Sequence, residues 1–153
     1  MSPAASSRLD PMGAAFAEAR AAGALGEVPV GAAIVRDGGI VAVAGNRTIM
    51  DRDPTAHAEM LAIRAAAAAL GSERLAGCDL YVTLEPCAMC AAAISFARIR
   101  RLYYAAADEK GGAVEHGPRF FSQPTCHHAP EVYGGIRASE AAELLREFFA
   151  TRR

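Results

Sequence analysis

Lysine occurs once in this 153-residue chain, at Lys110, so nearly all of its positive charge is arginine. Arginine suits phosphate recognition, although in so alanine-rich a chain it also fits a GC-rich genome. The formal net charge is −1. That argues against a partner held by bulk positive charge and leaves local patches as the route to a polyanion. Four cysteines do not make a disulfide scaffold at this size. Two of them, Cys87 and Cys90, stand at a metal-type spacing, which fits a reducing, cytoplasmic setting. No apolar run is long enough to cross a bilayer, so no membrane partner is expected. The Ala65–Leu70 run is short and bounded by Arg64 and Gly71. A charged segment followed by an apolar run is also missing near Met1, so no secretory signal is expected.

What is present reads as one soluble domain, with 52% hydrophobic and 22% charged residues. Residues 1–9 are expected to be a disordered tail and 10–153 a single domain. Asp10-Pro11 reads as a helix cap and first turn, followed by Met12, Ala15, Phe16, Ala19 and Ala22 at helical spacing. Val30–Val35 and Ile40–Ala44 read as strands around the turn Asp37-Gly38-Gly39. A helix from Thr55 to Leu70, a strand from Asp79 to Leu84 and a helix from Pro86 to Phe96 follow. Leu102–Ala105 is the next strand. Residues 108–130 are rich in Gly and Pro and read as loop, with a short helix near Arg119–Phe121. Glu131–Tyr133 is a last strand, and a helix capped by Ser139 runs to Arg152. Ala141, Leu145 and Phe148 form its apolar stripe, which places Phe148 in the core. Strands alternating with helices imply an α/β fold, a three-layer αβα sandwich on a mixed sheet.

The chemistry-bearing feature is His57-Ala58-Glu59 followed by Pro86-Cys87-Ala88-Met89-Cys90. It offers three metal ligands and a carboxylate that need not be one. A catalytic zinc site has three protein ligands and a position kept for water, whereas a structural site closes all four. His57, Cys87 and Cys90 would hold one Zn2+ per chain, and Glu59 would be free to move protons. Cys87 and Cys90 share one face of a helix that Pro86 would start, where free N–H groups favour thiolates. His57 and Glu59 lie roughly 200° apart around a helix, so both reach one site only from a helix N-terminus. Cys78 would sit roughly 20 Å from Cys87 along the intervening strand, too far to be a fourth ligand.

The signature H-A-E…P-C-x-x-C is that of the zinc-dependent cytidine/deoxycytidylate deaminase superfamily. Three longer strings, Glu27–Ala32, Asp53–Glu59 and Tyr81–Cys87, resemble its bacterial branch that acts on adenosine in tRNA. The resemblance implies a five-stranded sheet with the two ligand-bearing helix starts meeting over it. It also implies hydrolytic deamination of adenosine at the first anticodon position, in arginine tRNA with an ACG anticodon, by a homodimer. Asn46 would bond the target base, and the Ala58 backbone would meet its edge. Val30, Leu84 and Pro86 would line the base pocket. Asp108 would touch the ribose and backbone of the target nucleotide. Phe149 and Arg152, with Arg153, would approach the anticodon loop. Each position has a plainer alternative. Asn46 and Asp108 are also good turn formers, Val30, Leu84 and Pro86 good core residues, and Phe149 and Arg152 an ordinary frayed helix end. The chain departs from the family pattern at Ala92, where glycine is common, and at Thr48, where proline is. Cys126-His127-His128 resembles a second metal cluster, but neighbouring side chains rarely converge on one ion, and loop packing or an RNA-facing surface is expected instead. Two other readings compete: a free-base or nucleoside deaminase for guanine or cytosine with the same zinc chemistry, and a non-catalytic zinc-stabilised RNA-binding module, in which Glu59 would have no purpose.

Overall fold

The structure, a computed structural model, describes residues 9–152. Most of the expected tail, residues 1–8, lies outside the described residues, as does Arg153; Leu9 is exposed. Helix α1 (Pro11–Ala24) starts as its sequence dictates: the Asp10 carboxylate accepts the Gly13 N–H at 2.9 Å. Strands β1 (Gly31–Arg36) and β2 (Gly39–Gly45) form a hairpin. Its two-residue turn, Asp37-Gly38, holds both residues at positive φ, which matches the right-handed twist of the strands.

Helix α2 (Ala58–Leu70), strand β3 (Cys78–Leu84), helix α3 (Ala88–Ala97) and strand β4 (Arg101–Ala106) follow. A short 3-10 turn (Phe120–Ser122), strand β5 (Glu131–Tyr133) and helix α4 (Ala138–Ala150) complete the order. The five strands run in the order β2-β1-β3-β4-β5. β1 is antiparallel to both β2 and β3; β3, β4 and β5 are mutually parallel. The sheet is therefore mixed, as expected.

Alternation along the strands builds the layers. Ala32, Ile34, Leu80, Val82, Leu102 and Tyr104 face α2 and α3, meeting Ala62, Ala66, Ile94 and Ala97. Ala33, Tyr81, Tyr103 and Ala105 face the other way, toward Met12, Ala15 and Phe16 of α1 and Ala141 and Leu144 of α4. Gly31 makes the first of these contacts possible, since a Cβ there would lie 1.9 Å from the Ala15 carbonyl oxygen. No helix of the described residues is long and apolar enough to cross a membrane.

Three helix starts differ from expectation. α4 begins at Ala138 behind Arg137, so Ser139 lies within the helix and does not cap it. The other two bear on the site. α2 begins at Ala58 rather than Thr55, because Asp53 Oδ1 draws both the Thr55 N–H and its hydroxyl into a turn, at 2.8 and 2.7 Å. α3 begins at Ala88 rather than Pro86. His57 and Cys87 thus become the two N-cap residues, with extended backbone that swings their side chains off the helix ends. Phe148 is not in the core. It is half-buried, and the core of α4 ends with Ala141 and Leu144.

Candidate active site

The strands place the helix starts together. β3 ends at Leu84 and leads through Glu85-Pro86 into α3, while α2 packs on the same sheet face. His57 Nδ1 lies 3.6 Å from Cys87 Sγ and 3.5 Å from Cys90 Sγ. Among the described residues these three form the cluster that could hold a metal ion, with ligand atoms within 4.8 Å of one another. Tetrahedral zinc with ordinary Zn–N and Zn–S bonds requires an N···S edge of about 3.6 Å, so the donor set fits zinc in both chemistry and span. Cys78, buried at the start of β3, is outside the cluster.

The two thiols are driven apart in acidity. The Cys90 thiol, hydrogen-bonded to Cys87, holds the Cys87 sulfur down at about 5, and the N–H groups of Cys90 and Met89 and the nearby His57 add to this against the cost of burial. Cys90 is pushed the opposite way by the same bond. Glu59, in the first turn of α2, is 4% exposed. Burial drives its carboxyl up to about 7; its own N–H and His57 oppose this, and the Cys87 charge reinforces it. Burial thus works toward a carboxyl that can both accept and release protons.

His57, Glu59 and Cys87 line a cavity of about 280 Å³ together with Val28, Val30, Asn46, Thr48, Leu84, Glu85 and Asp108. Val30, Asn46, Leu84 and Asp108 are therefore brought together with His57, Glu59 and Cys87. Pro86 is not; it is fully buried, away from the cavity wall. Ala58 is buried too, and its N–H, expected at the base edge, donates to Asn46 Oδ1 at 2.8 Å. Phe149 stands outside the cavity, in a groove of about 550 Å³ that shares Val28, Leu84 and Asp108 with it and adds Lys110 and Leu145. Arg152 turns back on its own helix, with its guanidinium 3.6 Å from the Phe148 ring centroid. Cys126 and His128 bond to loop and helix-end carbonyls, of His128 and Ile99, and take no part in the metal cluster. Thr48, the departure nearest the cavity, bonds Glu27 Oε1 at 3.4 Å, and Ala92 sits half-buried within α3.

The family described as the zinc-binding region of cytidine and deoxycytidylate deaminases matches residues 6–106. A tRNA-specific adenosine deaminase of Agrobacterium fabrum is 67% identical over 139 residues, 91% of each chain. This chain belongs to the tRNA-specific adenosine deaminases of the zinc-dependent deaminase family. Its cofactor is zinc, as the matched region and the donor cluster together require. A solved deaminase that performs A-to-I editing at the wobble position of transfer RNA superposes with a TM-score of 0.87 at 67% identity, covering 88% of this chain and 98% of that one. A guanine deaminase of Nitrosomonas europaea shares the fold with a TM-score of 0.75 at 26% identity, covering 98% and 94%.

Two buried carboxylates around the cavity escaped the sequence reading. Glu27 is 1% exposed and accepts the N–H groups of Ile49 and Met50 at 3.2 and 2.8 Å. Glu85 is 2% exposed and gathers the loop that follows β4. Both lie inside the strings that carry the family resemblance, but their partners are distant in sequence, so no local pattern reveals what they do.

Proposed function

We propose that this chain hydrolyses the 6-amino group of adenosine to give inosine and ammonia at the wobble position of tRNA, with arginine tRNA bearing an ACG anticodon as its substrate. The observation that carries this reading is the meeting of buried Glu59 with His57 and Cys87 in one cavity, with Cys90 completing the donor cluster behind them. The 67% identity to a tRNA-specific adenosine deaminase supports the choice of polymer.

His57, Cys87 and Cys90 hold the zinc, one per chain. When bound, zinc supplies water activated for attack at neutral pH. Glu59 takes a proton from the attacking water at its carboxylate and passes it to the purine ring nitrogen next to the reacting carbon. It then takes the second proton of that water and gives it to the amino group that leaves as ammonia. Val30 and Leu84 pack on the purine. Asn46 uses Oδ1 on the α2 start, so Nδ2 is the group it offers the base. Ala58 contributes by anchoring Asn46, and Pro86 by supporting Cys87 from behind. Asp108 lines both the cavity and the outer groove, which supports its reading as the residue that touches the ribose and backbone of the target nucleotide. Phe149 in that groove meets the anticodon loop, with Arg152 beside it; an unpaired loop base costs less to present than one in a duplex.

The enzyme works in the cytoplasm, where tRNA and free thiols coexist, and as a homodimer, for which Leu25, Ile49 and Met50 supply exposed apolar surface. Sedimentation would measure the assembly. The function itself is tested by incubating the zinc-loaded protein with an ACG-anticodon arginine tRNA, guanine and cytidine. Inosine in the tRNA is the expected product. Turnover of guanine or cytidine with none of the tRNA would overturn the reading.

A further inference from the structure

The loop between β4 and the 3-10 turn supplies part of the cavity wall, through Asp108 and Gly111, and part of the outer groove, through Asp108, Glu109 and Lys110. Its backbone has no regular partner. It is instead wrapped around one carboxylate. Glu85 Oε1 accepts the Asp108 N–H at 3.0 Å and faces His116 Nδ1 at 2.7 Å. Glu85 Oε2 accepts the N–H groups of Val114, Glu115 and His116 at 3.1, 2.9 and 3.1 Å. Gly112 is shaped to this wrapping: a Cβ there would lie 2.6 Å from the Glu85 carboxyl carbon and 2.4 Å from the Asp108 carbonyl oxygen.

The same residue is fixed at its other end. Its N–H donates to Ala106 O at 2.8 Å, closing β3 against β4, and its chain runs directly into Pro86 and the Cys87 cap of α3. The Pro86 carbonyl in turn accepts the Ala113 N–H at 2.9 Å. We infer that Glu85 is a positioning residue: it locks the Asp108–His116 loop to the start of the metal-bearing helix, and so sets the register between the flank of the target nucleotide and the reacting atoms. Glu85 borders the cavity, but its side chain is fully buried and both of its oxygens are taken up by loop donors. A charged acceptor suits the task, because bonds from N–H groups to a buried carboxylate are stronger than those to a neutral group.

The inference rests on the proposed tRNA reaction and has its own test. In Glu85→Gln the carbonyl oxygen can keep the three donors at Oε2, but the amide then turns its NH₂ toward the Asp108 N–H. Steady-state inosine formation in an anticodon stem-loop should show KM raised roughly tenfold, from loss of charge-assisted bonds, with kcat and zinc content near those of the parent. Hydrogen exchange should quicken at Asp108 and at residues 114–116 and stay slow in α2 and α3. His116→Ala, which removes one exposed-side donor and leaves the carboxylate in place, should move KM the same way by less, and it covers the case in which Glu85→Gln fails to fold. Unchanged KM and loop exchange in either folded variant would overturn the inference. So would a fall in kcat and zinc together, which marks a merely structural carboxylate. Absence of inosine with the parent enzyme would instead count against the reaction.

Discussion

Asn46 Oδ1 accepts the Ala58 N–H at 2.8 Å, so a loop residue after β2 closes the start of the helix that carries His57 and Glu59. His57, the N-cap itself, makes no side-chain capping bond. The cavity wall and the catalytic helix are thus one unit. Asn46→Ala should destabilise the fold by about 1 kcal/mol, as loss of a helix cap does, seen as a lower urea midpoint with unchanged slope. Asn46→Asp keeps the acceptor and removes the amide donor. It should retain stability and lose inosine formation; full activity in Asn46→Asp would reduce Asn46 to a cap.

Cys87→Ala should release zinc and lower the melting temperature, since metal binding to a folded donor set is folding free energy. Chelation of the parent should lower its melting too, and added zinc should restore it, whereas the melting of Cys87→Ala should not respond to added zinc. Metal analysis and calorimetry on the two preparations check this, and a full zinc complement in Cys87→Ala would exclude Cys87 as a ligand.

Glu59→Gln should keep zinc and stem-loop binding while turnover falls by at least about a hundredfold, the range lost with a general acid–base. Loss of zinc in this variant would make Glu59 a ligand rather than a proton carrier.

The layers of this fold were legible because local signals agreed with the long-range result. Asp10-Pro11, Asp37-Gly38 and Gly71 punctuate the elements where turn and cap chemistry says they should. The metal cluster was legible because its spacing is chemical, not topological. The helix starts were not, since Thr55 is held in a turn by Asp53, a choice that periodicity cannot see. Glu27 and Glu85 were missed for a related reason. Their donors sit 21 to 31 positions away, and only the folded chain brings them together. Phe148 failed the other way: it has the helical spacing of a core residue, but spacing does not say how far along α4 the neighbouring elements reach.

Glu140 links α4 to α1, with Oε2 at 2.6 Å from Arg20 and Oε1 at 2.8 Å from Arg137. These two arginines, Arg20 first, lower its carboxyl below the ordinary value. A carboxylate depressed on folding stabilises the protein above its unfolded pKa of about 4.3, and that stabilisation disappears as pH falls through the lower folded value. The melting gap between the parent and Glu140→Gln should therefore be present at neutral pH, close in acid, and shrink in high salt because the groups are exposed. A gap that persists in acid would show that packing, not charge, holds α4 there.

In the proposed reaction the end of α4 bears on the choice of polymer and not on the chemistry. Phe149 is 52% exposed and borders the groove that continues from the catalytic cavity, yet neither it nor Arg152 touches the metal cluster or Glu59. A chain ending at Phe148 keeps the α4 residues that pack into the core, Ala141 and Leu144, and loses Phe149, Arg152 and Arg153. Zinc content and melting should therefore stay near those of the full chain. Any weak turnover of free adenosine should stay too, since on the proposed reading a nucleoside needs only the cavity lined by Val30, Asn46 and Glu59. Stem-loop turnover at low substrate should fall, through KM, because an exposed aromatic available for stacking on a base contributes roughly 1–3 kcal/mol and the arginines add salt-sensitive phosphate contacts. The salt dependence of stem-loop binding should flatten in the same variant, as fewer counterions are released. Measuring kcat and KM for the stem-loop at two salt concentrations, beside nucleoside turnover, checks each part. Equal stem-loop kinetics in the truncated and full chains would make the end of α4 structural and move tRNA selection to the Asp108–His116 loop alone.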